Sequence, residues 1–314
     1  MVAKGEIKMK NQNLLGYLEA FTAVFFWSFN VVLASLFVTS LTPLEFAFGR
    51  WLIAAVVLLP LSFQGLKKNF SYLKSHFWYV FWLALTGIVL DNTLIYVAAR
   101  TTNAIDMGLL NALGPVFLFL LSAVLLKTPV LKNQVIGTIL ALFGVVIIVT
   151  KGHPAGILDM NFSVGDMWMI LNAFCFAVYS LLQKKRPAEV SQLTLLSASV
   201  FVGVILLFPF LWWNTSWGQI ASLGKVEYSV LIYLGIFNSV IAYLTWNSAL
   251  AKIGSVKTGI VYYLLPVLTM IEAALFLSEK ITWAEAMGGL FVLIGIVIVG
   301  LKEKTSSDIP IERP

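Results

Sequence analysis

Long apolar runs dominate the chain, and short polar interruptions divide them at near-regular intervals. A helix needs about 20 mainly apolar residues to cross a bilayer. Windows of that kind fall at 14–38, 43–62, 77–98, 103–126, 133–150, 164–184, 191–213, 229–250, 255–277 and 284–301. The separators carry charge and helix-breaking residues, as in Lys67-Lys68-Asn69, Lys127-Thr128-Pro129, Lys151-Gly152-His153-Pro154 and Lys184-Lys185-Arg186-Pro187. The pattern predicts an all-α membrane protein with ten transmembrane helices. It divides the chain into a cytoplasmic N-terminal segment 1–13, a first five-helix unit 14–150, an external linker 151–163, a second five-helix unit 164–301 and a cytoplasmic tail 302–314.

Composition sharpens this expectation. The chain is 60% hydrophobic and 11% charged, with mean hydropathy +0.91. A soluble domain carries about 25% charged residues. So much apolar surface has to face lipid, where spanning helices satisfy their own backbone groups. The +6 net charge would suit a nucleic-acid partner, but the placement of the charges points elsewhere. With the N-terminus inside and every window crossing, inside segments hold 16 Lys and Arg residues and outside segments hold four: Arg100, Lys151, Lys225 and Lys280. That asymmetry predicts both termini in the cytoplasm, in what reads as a bacterial inner membrane, with no nucleic acid. The first apolar run is too long for a signal-peptide core and has no small-x-small cleavage site after it. The lone cysteine, Cys175, excludes an intramolecular disulfide. The two histidines, His76 and His153, fall in expected loops, so no metal or cofactor site is expected.

The two halves echo each other. At an offset of 149, Asn30 falls on Tyr179 and Pro60 on Pro209. At 151, Pro115 falls on Pro266, Gly137 on Gly288 and Gly144 on Gly295. Five helices per half is an odd number, so the second half would enter from the opposite side. The result would be two inverted five-helix repeats, an architecture that binds substrate near the midplane between halves.

Several short stretches then carry a resemblance. They are Phe26-Trp27-Ser28-Phe29-Asn30, Thr42-Pro43-Leu44 followed by Arg50, Gly114-Pro115-Val116, Leu265-Pro266-Val267 and Leu277-Ser278-Glu279-Lys280-Ile281. In this order, over essentially the whole chain, the sequence resembles the drug/metabolite transporter superfamily and its ten-helix EamA-type permeases. Glu279 matches the family's closing Glu before the last helix, whereas Lys127-Thr128-Pro129 stands where the first half would carry its equivalent. The resemblance implies proton-linked or exchange transport of amino acids and related metabolites.

Candidate chemistry lies at depth. Ionisable groups inside a bilayer are expensive and gather around functional paths. Arg50, Asp91 and Glu272 are the deepest, and they should face the bundle interior as coupling groups or as an ion pair of Arg50 with Asp91 or Glu272. Asn30, Asn111, Tyr179 and Asn238 stand near midplane with Trp27, Trp246, Tyr262 and Tyr263 close by, as candidates to line a substrate pocket; each could equally bond its neighbours. Pro115 and Pro266 are expected mid-helix, as kinks or hinges. Glu45, Asp106 and Asp166 suit helix first turns, where an acid complements the helix dipole. Glu19 belongs near the cytoplasmic end of the first helix. Trp78, Trp82, Trp168, Trp212 and Trp213 suit the membrane interface. Gly137 with Gly144, and Gly288 with Gly295, form small-residue stripes for close helix contact.

No G-x-x-x-x-G-K-[ST] phosphate loop occurs, so an ion or substrate gradient would supply the energy. The expected partners are a small-molecule substrate and the lipid bilayer, with the chain a monomer or homodimer. Alternatives are a passive channel, a non-transporting scaffold and an intramembrane enzyme; the enzyme would need a catalytic set within the membrane.

Overall fold

The computed structural model describes residues 2–37, 42–98, 100–101, 107, 110–127, 131–153, 163–214, 223–276, 278 and 280–300. Asp106, Glu279, most of the 151–163 linker and the 302–314 tail lie outside the described residues. Among those described the regular structure is all helical.

The first half runs α1 Val2–Phe37, α2 Pro43–Lys68, α3 Phe70–Ser75, α4 Phe77–Ala84, a π-helical segment Leu85–Leu90, α5 Asp91–Ala98, α6 Leu113–Leu125 and α7 Lys132–Val149. The second half runs α8 Val164–Lys184, α9 Gln192–Asn214, α10 Lys225–Tyr233, a π-helical segment Leu234–Ile241, α11 Ala242–Tyr262, α12 Leu264–Phe276 and α13 Trp283–Gly300. Seven described helical stretches are long and apolar enough to cross a membrane, and α6 and α12 are shorter apolar helices.

Local sequence sets the ends. Thr42 accepts the Glu45 amide while the Glu45 carboxylate accepts the Thr42 amide, and Ser163 and Asp166 repeat the device. Each pair satisfies two orphan donors of a helix start. Gly254 ends the first part of α11 with φ 81° and ψ 165°, a combination open essentially to glycine alone. The residues after it belong to the ninth apolar window.

One expectation needs correction. The first helix begins at Val2 rather than at 14, so most of the segment expected to precede it is helical. At Pro115 and Pro266 a one-residue turn with helical dihedrals interrupts the helix, with helix on both sides, as a proline kink within a span requires. Each proline is the third residue of its helix, α6 or α12, after the turn at Ala112 or Tyr263. A proline there removes the amide that would bond back across the turn, and its ring clashes with a straight continuation from the residues before it. The apolar run continues across the break, so hydropathy alone could not reveal it.

The exterior is apolar: Val56, Ile139, Ile205, Leu275 and Val297 are 63–72% exposed. The polar groups Arg50, Asn92, Asn172, Ser180, Asn238, Asn247 and Glu272 are buried. That is the reverse of a water-soluble globule and suits a lipid surround. Trp78, Trp82, Trp168 and Trp212 are on the exterior. Among the described helices, α7 and α13 pack along the longest seam. A Cβ at Gly137 would stand 2.5 Å from the Gly295 carbonyl oxygen, and one at Gly144 would stand 2.5 Å from that of Gly288. Only glycine allows backbones so near.

Candidate functional site

Two widened turns organise the centre. In the first π segment the Asp91 amide bonds to the Thr86 carbonyl, five residues back, and in the second the Ala242 amide bonds to Phe237 in the same way. The shifted register leaves the next carbonyl free for side chains. Gly87 O accepts from the Tyr243 hydroxyl at 2.9 Å and from Asn92 Nδ2 at 3.2 Å. Asn238 O accepts from Trp27 Nε1 at 3.2 Å. Gly87 is required for a second reason: a Cβ there would stand 2.2 Å from the Tyr179 ring.

Asp91 opens the helix after the first π segment. Its Oδ2 is 3.0 Å from the Tyr243 hydroxyl. Asn172 Nδ2 donates to Asp91 Oδ1 at 3.4 Å and also contacts its backbone carbonyl. Asn92 Nδ2 reaches Oδ2 at 3.5 Å. The carboxylate is half-buried, ringed by neutral donors that suit a negative charge.

Arg50 is 3% exposed. Its Nε donates to Ser239 Oγ at 3.0 Å. With the Asn238 amide oxygen turned towards the guanidinium, Nη1 and Nη2 donate to it at 3.0 and 3.1 Å, and the amide nitrogen donates to Phe26 O. The guanidinium carbon also stands 5.1 Å from the centre of the Trp51 ring. The expected ion pair is therefore absent: neither Asp91 nor Glu272 comes within 4.0 Å of Arg50. Neutral oxygens and a ring face serve the cation instead. The described ion pair is Lys252 with Glu19, joining α11 to α1.

An aromatic cluster fills the space between these groups. Trp27 meets Trp246, Tyr243, Phe176 and Tyr262 at centroid distances of 5.2, 5.5, 5.5 and 6.0 Å. Tyr262 Oη donates to Asn111 Oδ1 at 3.3 Å. Trp246 Nε1 donates to Ser180 Oγ at 3.0 Å, and Tyr179 Oη accepts from Asn247 Nδ2 and Gln183 Nε2 at 2.9 and 3.1 Å. Of the residues expected to line a pocket, Trp27, Asn111, Tyr179, Asn238, Trp246 and Tyr262 thus share one connected region. Asn30 is half-buried and Tyr263 buried, and among the described residues neither the Asn30 Oδ1 nor the Tyr263 hydroxyl has a hydrogen-bond partner. Neither contacts the cluster through a described bond or ring pair.

Glu272 lies apart on α12. It is 5% exposed, and its Oε1 is 2.9 Å from Ser28 Oγ.

Sequence reading overlooked Asn92, Asn172, Ser180, Ser239, Tyr243 and Asn247. A usable signal existed. Asn172, Tyr179 and Gln183 stand seven and four residues apart on α8, and Tyr243 with Asn247 four apart on α11, which places each set on one helix face.

Among the described residues, helices with an apolar exterior and with charged and amide groups buried inside define an integral membrane protein. The chain belongs to the EamA-like transporter family, matched over residues 14–150 and again over 163–301. It is 27% identical to "Uncharacterized transporter YyaM" of Bacillus subtilis (strain 168) over 92% of this chain and 94% of that one. It is 25% identical to a "Probable terminal-alkyne amino-acid exporter" of Streptantibioticus cattleyicolor, over 65% of each chain. One solved crystal structure shares the fold, with TM-score 0.74 and 20% identity over 90% of this chain and 95% of that chain. The family and the two named sequence relatives are transporters rather than enzymes.

Proposed function

We propose that this protein is a secondary active transporter that moves a small metabolite, an amino acid or related amphipathic compound, by alternating access with proton coupling or exchange. We read its architecture as ten spans in two inverted five-helix repeats, set in a bacterial inner membrane with both termini cytoplasmic. The main support is that equivalent positions of the two halves meet one another. Asn111 bonds Tyr262, its counterpart 151 residues on. Trp27 touches Phe176, its counterpart 149 residues on. Gly137 and Gly144 meet Gly295 and Gly288, so each glycine faces the counterpart of the other. Reciprocal contacts of this form are what a two-fold axis produces. The freed carbonyls at Gly87 and Asn238 are also 151 residues apart.

Substrate would bind on that axis. Broken helices and released carbonyls near a repeat interface are the usual furniture of such sites. Trp27, Trp246 and Tyr262 supply aromatic surface, Asn111, Tyr179 and Asn238 supply hydrogen bonds, and Asp91 supplies a negative charge for an ammonium group. Asn30 and Tyr263 carry unpartnered polar atoms that a ligand could satisfy in another conformation. The amino-acid assignment draws on the family resemblance and on the printed name of the Streptantibioticus relative.

The test is a thermal-shift screen of the purified protein with free amino acids, dipeptides and amines. A ligand present at about 100 times its Kd stabilises the folded state by about 2.7 kcal/mol. At least one amine-bearing compound should raise the melting temperature of wild type and leave Asp91→Asn unmoved. A screen in which no such compound acts, or in which Asp91→Asn responds equally, defeats the assignment.

A further inference from the structure

Glu272 presents a hydrogen-counting problem. Ser28 Oγ lies 2.8 Å from Phe25 O and 2.9 Å from Glu272 Oε1. A backbone carbonyl only accepts, and so does an ionised carboxylate, but a serine hydroxyl has one hydrogen to give. The other oxygen, Oε2, is buried with no partner among the described residues. Among the described residues no Lys, Arg or His nitrogen lies within 4.0 Å of either oxygen. An unpaired carboxylate in such a place carries a large desolvation penalty.

One added proton on Oε1 resolves the hydrogen count and removes the charge, leaving Oε2 as the uncharged carbonyl oxygen of a carboxylic acid. The acid O–H donates to Ser28 Oγ, the Ser28 hydrogen goes to Phe25 O, and no charge is left in the α1–α12 seam. We propose that Glu272 is a proton-binding site of this transporter, loaded in the conformation described here, with Ser28 as its hydrogen-bond acceptor. Loading is the transfer of one proton from hydronium to a Glu272 carboxylate oxygen, and release is the reverse when the seam opens to water. The inference rests on the transport reading for its purpose but not for its chemistry.

The surroundings leave the proton few rivals. From α1 the facing polar group is Ser28. From α10, Tyr233 is half-buried with its ring against Phe29 and Phe237. The charges of the other packed helices lie at their starts: Glu285 of α13 bonds Thr282, and Lys132 of α7 is exposed. A hard cation such as calcium would need about six oxygen ligands, and among the described residues the site offers the carboxylate, the Ser28 hydroxyl and the nearby Phe25 carbonyl. At Asp91 the Tyr243 hydroxyl likewise stands between a carbonyl and a carboxylate. There, however, Asn92 and Asn172 add N–H donors that serve an ionised carboxylate.

Infrared spectroscopy of the full-length protein in liposomes near neutral pH tests the assignment without any substrate. Wild type and Asp91→Asn should both show the carbonyl stretch of a protonated carboxyl group, shifting in heavy water, and Glu272→Gln should lose it. Ser28→Ala should keep the band at higher frequency, because its hydrogen bond is gone; this variant decides the matter should Glu272→Gln misfold. Absence of the band in wild type, its full persistence in Glu272→Gln, or an unmoved band in Ser28→Ala overturns the proposal. None of these results bears on whether wild type transports, so failure here and failure of the transport reading are separate outcomes.

Discussion

Alanine at Gly288 and alanine at Gly289 should behave oppositely, although the two residues are neighbours on α13. A Cβ at Gly288 would stand 2.7 Å from the Gly144 carbonyl oxygen, 2.8 Å from Ile148 Cγ1 and 3.1 Å from the Ile148 backbone nitrogen. Two of these are backbone atoms of α7, so rotamer changes cannot relieve them. Reaching ordinary contact at 3.4 Å requires α7 and α13 to part by about 0.7 Å locally. At Gly289 the nearest atoms are Val267 Cγ1 at 3.7 Å and Met270 Cε at 4.0 Å, already ordinary contact. Both substitutions gain the same helix propensity, about 1 kcal/mol, which cancels between them. What remains is the overpacking penalty at Gly288, about 1–3 kcal/mol. At about 2–4 °C per kcal/mol for a chain of this general size, Gly288→Ala should melt several degrees below Gly289→Ala. Thermal denaturation in detergent, followed by gel filtration of the surviving folded fraction, reads the difference. If the two variants melt within about 1 °C of each other, the glycine crossing is not the close contact described.

Further perturbations probe other parts of the molecule. Gly254→Ala has ample room, with only Lys184 Nζ at 4.0 Å, so its expected loss of about 1–3 kcal/mol is conformational strain and should appear as a lower melting temperature; an unchanged value would contradict the backbone geometry. Tyr243→Phe leaves Gly87 O and Asp91 with one donor fewer and should destabilise by about 1–3 kcal/mol, measured in the same way. Glu19 and Lys252 are 18% and 28% exposed in their side chains. A double-mutant cycle on this pair should therefore give no more than about 1 kcal/mol of coupling, and a much larger value would show that the pair is better shielded than it is here.

The apolar windows were readable because lipid imposes one simple rule of length and polarity, and the membrane-spanning character followed from it. The breaks at Ala112 and Tyr263 were not readable from hydropathy, because both flanks are apolar and hydropathy does not register a turn. The prolines three residues beyond each were the available signal, and counting back from them would have placed the breaks. The π segments were hidden for a similar reason: Leu85-Thr86-Gly87 and Leu234-Gly235 look like ordinary helix, and the shift to a five-residue register depends on tertiary partners such as Tyr243 and Trp27. Arg50 shows the limit of charge arithmetic. Counting charges suggests a carboxylate partner, whereas the guanidinium is served by Ser239, Asn238 and Trp51. Trp27, Tyr179, Asn238 and Trp246 could be named because bulky polar groups at depth are few. The donors around Asp91 required knowing which faces of α8 and α11 meet.

Counterflow in proteoliposomes addresses alternating access around the Asp91 and aromatic centre most directly. Vesicles are loaded with an excess of the unlabelled compound that stabilises the protein, and labelled compound is added outside in trace. A carrier that exposes one site to either side in turn makes the label rise transiently above its equilibrium level, and Asp91→Asn should abolish that overshoot. A label that climbs smoothly to equilibrium in wild type, with no overshoot and no saturation, would mean a passive pore and would contradict the transporter reading.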